Sequence, residues 1–220
     1  MVSKYVLITA AGAGVRMNSH LPKQFLELKG KPILIHTISK FIRYASDIHI
    51  VLVLPEEQIP LWNELSKSHN FNFPVEVVAG GPTRFHSVKN GLNKVKDNAL
   101  VAIHDGVRPL VSLNTIQQVF HLASKFGNAI PVTGVNESVR ILDKAFSKVI
   151  DRNSLRIVQT PQCFKSEIIK KAYQENYKES FTDDASVLEN FGQRIFLVEG
   201  NQSNIKITSP EDLLIAAALL

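Results

Sequence analysis

The sequence predicts an α/β fold: a mostly parallel, twisted sheet with helices on both faces and a small β-arm standing off it. Two observations carry this. Through the first half of the chain, short β-branched runs, almost continuously apolar, alternate with longer stretches of helical periodicity. That is the pattern of parallel strands buried on both faces and joined by right-handed crossover helices. Between about residues 131 and 157 it gives way to two short alternating runs around Lys144–Ser147, the mark of a hairpin leaving the main sheet.

Taken in order, YVLIT (5–9), HIVLVL (49–54), VEVVA (75–79) and ALVAIH (99–104) read as buried strands. Between them ILIHTISKFIRY (33–44), IPLWNELSKSH (59–69) and RFHSVKNGLNKV (84–95) have helical spacing. SVRIL and SKVID supply the hairpin, residues 166–178 and 183–192 read as helices, and RIFLVEG (194–200) as a strand. The closing helix starts Ser209-Pro210-Glu211-Asp212, with a capping serine, proline at the first helical position and acids in the first turn. With no internal repeat, low-complexity segment or linker, one domain over residues 1–220 is expected, with residues 137–156 as its arm. A protruding hairpin exposes apolar positions that need a partner, and a second subunit is the simplest one.

Composition narrows the function. The formal net charge of +5 favours anionic ligands. The lysines and arginines are scattered and stripe no helix, so small phosphorylated molecules are expected rather than nucleic acid. The lone Cys163 cannot form an internal disulfide, and the N-terminal apolar stretch is too short to span a bilayer and lacks a secretory cleavage pattern. A cytoplasmic protein that binds no membrane is expected.

In open parallel sheets ligands bind beyond the carboxyl ends of the strands, which directs attention to the loops after residues 9, 79 and 104. The first runs Ala10-Ala11-Gly12-Ala13-Gly14-Val15-Arg16-Met17, then Pro22-Lys23-Gln24. Met17 stands where a dinucleotide fingerprint has its third glycine, and the Gly-Lys-Ser/Thr of a Walker A loop is missing. Arg16 and Lys23 beside a glycine loop suit a triphosphate whose charge grows at the transferring phosphorus; a strand-to-helix turn with two solvated cations reads equally well. The second loop is Gly80-Gly81-Pro82-Thr83-Arg84, then Ser87, either a base-reading edge or a plain turn. The third is His104-Asp105-Gly106-Val107-Arg108-Pro109. Asp105 could hold Mg²⁺ on nucleotide phosphates, or cap a turn and pair with Arg108. His104 reads as structural, since no partner histidine or cysteine stands at ligand spacing. Three polar groups in the second half, around Arg152, Thr160 and Lys206, each suit a surface or capping role alone; together Arg152 and Lys206 could clamp a second phosphate in line with the nucleotide.

The whole set, AAGAGVRM…PKQF, GG…R..SV, HDGVRP, DRN.L…QTPQ.F, TDDASVLE and EG…NIKIT.PEDL, lies in order over nearly the full chain. It resembles the 2-C-methyl-D-erythritol 4-phosphate cytidylyltransferase family, with ribitol-5-phosphate cytidylyltransferases as near relatives sharing part of the set. The resemblance implies a Rossmann-like homodimer that joins CTP to a small sugar-alcohol phosphate in non-mevalonate isoprenoid synthesis. It implies that Arg16 and Lys23 stabilise charge on the triphosphate, and that Arg152, reaching over from the partner's arm, and Lys206 position the acceptor. Ala10, Ala11, Gly12, Gly81 and Ser87 are implied to surround the nucleoside, Asp105 to ligate Mg²⁺, and Ser138, Thr160 and Asp183 to touch the acceptor. Pro82, Gly106 and Ser203 depart from the family's usual residues. The alternatives are the ribitol-phosphate enzyme and a non-catalytic nucleotide-binding module.

Overall fold

Alternation along the first strand decides the architecture. In the computed structural model, which describes residues 2–12, 21–143 and 146–220, β1 (Ser3–Thr9) sends Tyr5 and Leu7 to one face and Val6 and Ile8 to the other, all four buried. Each face then collects its own helices. Val6 and Ile8 pack with α1 (Ile33–Tyr44), α2 (Ile59–Ser68) and α4 (Leu113–Phe126), through Ile38, Phe41, Trp62, Ile116 and Phe120. Tyr5 and Leu7 pack with α3 (Arg84–Leu92), α5 (Ser166–Ala172) and α6 (Asp184–Asn190), through Phe85, Val88, Ile169, Val187 and Leu188. The fit is close: a Cβ on Gly91 of α3 would lie 2.6 Å from Leu7 Cδ1 and 2.9 Å from Val53 Cγ2, so only glycine lets the helix sit this low on the sheet.

The remaining strands are the two-residue pair β2 (Glu27–Leu28) and β3 (Lys31–Pro32), then β4 (His49–Leu54), β5 (Val75–Ala79), β6 (Ala99–Asp105), β7 (Asn128–Gly134), β8 (Val139–Asp143), β9 (Phe146–Ile150), β10 (Arg156–Val158), β11 (Gln162–Lys165) and β12 (Leu197–Glu199). The main sheet runs β10-β7-β11-β6-β1-β4-β5, with β12 beside β7. β5, β4, β1 and β6 are parallel, while β11 lies antiparallel between β6 and β7. The chain builds outward from β1 to β4 and β5 and then returns to β1's other side with β6. Such a reversal of strand order opens a crevice at the carboxyl ends of β1 and β6.

The four sequence-predicted strands and three helices of the first half all form, as do the hairpin and the capped last helix, α7 (Pro210–Leu219). Ser209 Oγ and the Asp212 carboxylate close a reciprocal cap there. Three elements differ. The helix expected over 166–178 ends at Ala172 and that over 183–192 covers Asp184–Asn190. The strand expected over 194–200 shortens to Leu197–Glu199. The sequence reading had no β7, β10, β11 or α4, although α4 carries Ser112 as N-cap and left-handed Gly127 as C-cap.

A third, smaller cluster lies near the crevice. Leu28, Ile33, Val107, Leu110, Ile207 and Ala216 pack together, with α7 as their lid. Ile207 N–H donates to Val107 O at 3.0 Å, which fixes the segment carrying Lys206 beside the loop after β6. Among the described residues no helix is long and apolar enough to cross a membrane.

Candidate active site

Three strand ends and one late loop make the crevice, which is lined by Thr9–Gly12, Lys23, Gln24, Arg84, Ser87, Asp105, Val107 and Lys206.

The first wall follows β1. Ala10 N–H donates to Val53 O at 2.9 Å, and Ala10 O accepts from the Gln24 side-chain amide at 2.8 Å. The same Gln24 nitrogen donates to Gln58 Oε1 at 2.6 Å. Gln24, unassigned by the sequence reading, therefore fixes the backbone of the first loop and puts its neighbour Lys23 at the crevice wall. Arg16, the other predicted cation of this loop, lies outside the described residues.

The second wall is the Gly-Gly turn. Gly80 N–H continues the ladder to Leu54 O at 2.7 Å, and Gly81 N–H donates to Ser87 Oγ at 3.1 Å. A Cβ on Gly80 would come 3.0 Å from both Ala11 Cβ and Ser87 Oγ, and one on Gly81 2.5 Å from His86 Cβ. The two loops thus approach so closely that side chains are excluded and backbone forms the wall. Ser87 lines the crevice and accepts from Gly81 N–H. Pro82 is exposed.

Asp105 is the floor. It ends β6 in register with Thr9. Its Oδ2 accepts from Arg108 Nε at 3.0 Å and from Lys206 Nζ at 3.2 Å. Burial alone would raise its pKa, but Lys206, Arg84 and Arg108 outweigh that and hold it far below the usual carboxylate range. Of the two sequence readings of Asp105, the pairing with Arg108 is present; the carboxylate also lines the crevice and stays ionised.

Beneath Asp105 runs a chain of hydrogen bonds with one consistent proton arrangement. Asp105 N–H donates to Thr160 Oγ1 at 3.1 Å, Thr160 Oγ1 donates to His104 Nδ1 at 3.0 Å, and His104 Nε2 donates to Arg108 O at 3.1 Å. Such partners suit a neutral imidazole, and burial pushes the His104 pKa down to about 4 despite Asp105. Among the described residues no cluster of three or more metal-ligating side chains occurs, and His104 is structural. Arg108 and Asn204 extend the frame: Arg108 donates to Asn204 O at 2.8 Å, and Asn204 Nδ2 to Thr160 O at 2.8 Å.

The remaining predicted residues are placed as follows. Thr160 is buried under Asp105 with its hydroxyl engaged as above. Asp183 is the N-cap of α6, accepting from Ser186 N–H and from Gln162 Nε2. Ser138 is exposed where the arm begins, and Arg152, also exposed, lies in the arm just after its hairpin and donates to Asn136 O. Neither Ser138 nor Arg152 lines the crevice of its own chain. Ser203 accepts from Asn201 at 2.9 Å, tightening the turn before Lys206. Arg84 enters the crevice without having been given a role; its signal was its spacing, one helical turn ahead of Ser87 on the same face.

The chain as a whole has counterparts among known proteins. Residues 4–220 match the family model of 2-C-methyl-D-erythritol 4-phosphate cytidylyltransferase. Proteins of that name from Bacteroides thetaiotaomicron and Phocaeicola vulgatus are 49% and 47% identical, over 98% and 100% of both chains. The crystal structure of the Thermus thermophilus protein of that name superposes with a TM-score of 0.81 at 31% identity, covering 100% of this chain and 98% of the other. That of 4-diphosphocytidyl-2C-methyl-D-erythritol synthase from Anaerococcus prevotii gives 0.84 at 28%, covering 99% and 95%. With full-length identity near one half and the same fold, the chain belongs to the 2-C-methyl-D-erythritol 4-phosphate cytidylyltransferase family.

Proposed function

We propose that this protein joins CTP to 2-C-methyl-D-erythritol 4-phosphate, releasing pyrophosphate and forming 4-diphosphocytidyl-2-C-methyl-D-erythritol. The observation that carries the reading is the meeting of Lys23, Asp105 and Lys206, from three distant parts of the chain, in one crevice walled by backbone. A phosphate oxygen of the acceptor forms the new bond to the α-phosphorus of CTP. The bond from that phosphorus to the bridging oxygen breaks, and pyrophosphate leaves with the electron pair. An acceptor monoester, with a second pKa of about 6, is largely dianionic near neutrality and needs no general base. It needs repulsion between two anions relieved and an in-line approach, which fixed cations supply.

Lys23 and Arg16 are assigned to the triphosphate, and Lys206 to the acceptor phosphate with a second contact to the nucleotide. Ala10, Ala11, Gly12, Gly81 and Ser87 surround the nucleoside, and the backbone wall favours cytosine because a wrong base leaves buried groups unpaired. Asp105 fits Mg²⁺: it is a carboxylate kept ionised, the one acid among the described residues that line the crevice, and Mg²⁺ takes few protein carboxylates and completes its shell with phosphate oxygens and water. When bound, Mg²⁺ neutralises triphosphate charge.

The arm is assigned to dimerisation, with Arg152 acting on the partner's acceptor and Ser138 contributing there. Exposed Ile141, Leu142, Phe146 and Val149 along the hairpin support this. Thr160 serves its own chain's site by holding the floor under Asp105. Asp183 contributes by starting α6 correctly. The enzyme works in the cytoplasm, a reading supported by its single buried thiol.

Pyrophosphate release with CTP and Mg²⁺, run in parallel with the methylerythritol and ribitol phosphates, tests the reading. Turnover confined to the methylerythritol phosphate is expected, with CTP preferred over UTP. Preference for ribitol phosphate would reassign the acceptor, and no release with either would leave only a nucleotide-binding role.

A further inference from the structure

Arg84 is unlike the other cations of the crevice. Its two terminal nitrogens donate to the two oxygens of Asp184, at 2.8 and 2.6 Å, across 100 residues of sequence. Asp184 is fully buried, and Tyr173 Oη donates to its Oδ1 at 2.6 Å. The surroundings of this carboxylate are themselves tied down. The Gln162 side chain donates to Asp183 and accepts from Ala185 N–H, both at 2.8 Å, so the start of α6 cannot shift. Phe85, next to Arg84, stacks on Tyr173 with centroids 4.7 Å apart. The guanidinium is thus fixed, yet 32% of its side chain remains exposed, along the crevice.

Two consequences follow from the chemistry. An arginine forked on both oxygens of a buried carboxylate has its charge largely answered and its terminal nitrogens held in place, so it is poorly suited to following a phosphate through the reaction. A guanidinium has five N–H donors, and the fork uses two, leaving Nε–H and the outer hydrogens for neutral oxygens. Its position says which ones. Ser87 stands one turn further along α3 at the nucleoside end, and Arg84 lies within electrostatic reach of Asp105 at the phosphate end. A nucleotide spanning those ends has its sugar between them.

We propose that Arg84 donates a hydrogen bond to a ribose hydroxyl of the bound nucleotide, and that Asp184 and Tyr173 are the residues that position it. The proposal rests on the cytidylyltransferase reading. Burial of Arg84 works against its charge, but the Asp184 carboxylate raises its pKa, so the fork persists across the working pH range.

The test compares kcat/KM for CTP, 2′-deoxy-CTP and 3′-deoxy-CTP in the wild type, Arg84→Lys, Asp184→Asn and the double variant Arg84→Met/Asp184→Leu. The double variant replaces the buried pair by apolar groups of similar volume and removes the hazard of an orphaned charge. Wild type is expected to prefer CTP over one deoxy analogue by about 10- to 100-fold, the usual discrimination for a lost substrate hydrogen bond. In Arg84→Lys and the double variant that ratio falls to within about twofold, because CTP loses affinity while the deoxy analogue does not. Asp184→Asn gives an intermediate ratio. A role confined to folding predicts instead that the double variant, once its melting temperature recovers, regains the wild-type ratio. That result, or a wild type indifferent to both hydroxyls, overturns the proposal and leaves the enzyme assignment intact. A wild type that uses CTP with no acceptor overturns both. Calorimetric binding of CTP and the same deoxy analogues reads the ratio for any variant too slow to assay, with the same two outcomes.

Discussion

The crevice and the arm are built on opposite plans. The crevice floor joins residues from β6, the 159–162 turn and the 201–207 loop, and its polar groups answer one another: Asp105 to Arg108 and Lys206, Thr160 to His104 and Asp105, Asn204 to Arg108 and Thr160. The arm is local. Val139 to Asp143 pairs with Ile150 to Phe146 in a two-stranded sheet of its own, and Leu142 and Phe146 are 82% and 79% exposed. A hairpin of that kind is marginal alone. The difference teaches that the crevice is folded by its own chain, whereas the arm's apolar surface makes sense against another one.

The comparison breaks most readily at the crevice cations. Lys23→Ala and Lys206→Ala should each lower kcat by about a hundredfold or more, the usual cost of removing one placed charge donor. Steady-state kinetics with folding checked by circular dichroism reads this, and a variant retaining most of its kcat removes that residue from the mechanism. On the arm, Leu142→Asp should convert a dimer to monomers and lower activity by a similar factor while the melting temperature of the main body barely moves. Sedimentation alongside the assay checks it; an active monomer would mean that the arm serves no site.

A smaller effect sharpens the view of the floor as a preorganised frame. Burial holds His104 at about 4, against an ordinary value of about 6.5. Between those values the unfolded chain takes up a proton that the folded chain refuses, so stability falls as pH drops from about 6.5 toward 4, by about 3 kcal/mol in total. Asp105, depressed in the fold, adds a further loss only at still lower pH, where the unfolded carboxylate protonates first. Melting temperatures between pH 7 and 4.5 should fall for the wild type and lie flatter for His104→Gln; parallel curves would contradict the buried neutral imidazole. The smallest effect concerns α7, which lids the cluster beside Lys206: Ser209→Ala removes its cap and should cost about 1 kcal/mol, seen as a modest shift in denaturant midpoint.

How much of this was legible in the sequence depended on distance. β4 and β5 match their predicted bounds for different reasons: β4, buried from Ile50 to Leu54, leaves an unbroken apolar run, while β5, a half-buried edge strand with Glu76 exposed, is bracketed by Pro74 and Gly80. β11 was missed because its first residue, Gln162, is polar and buried; its partners Asp183 and Ala185 lie over 20 residues away, and no local pattern announces them. The crevice divides the same way. Lys23, Asp105 and Lys206 could be picked out by position beside strand ends and in motifs. The work of Gln24 on Ala10 and the pairing of Arg84 with Asp184 could not, since each is defined by a partner that only the fold supplies. Asp183 shows the reverse: a motif residue whose side chain the structure puts to use in starting α6.

The central claim is that one chain's crevice is completed by the other chain's arm, and mixing two inactive variants tests it most directly. Lys23→Ala loses a crevice cation and Arg152→Ala loses the arm's arginine. After equal mixing and subunit exchange, half of the dimers carry one of each, and in those one site of two combines an intact crevice with an intact arm. Activity should therefore return to about a quarter of the wild-type value for a symmetric dimer. Activity that stays at the level of the separate variants, with exchange demonstrated, would contradict the account and place Arg152 either in its own chain's site or in none.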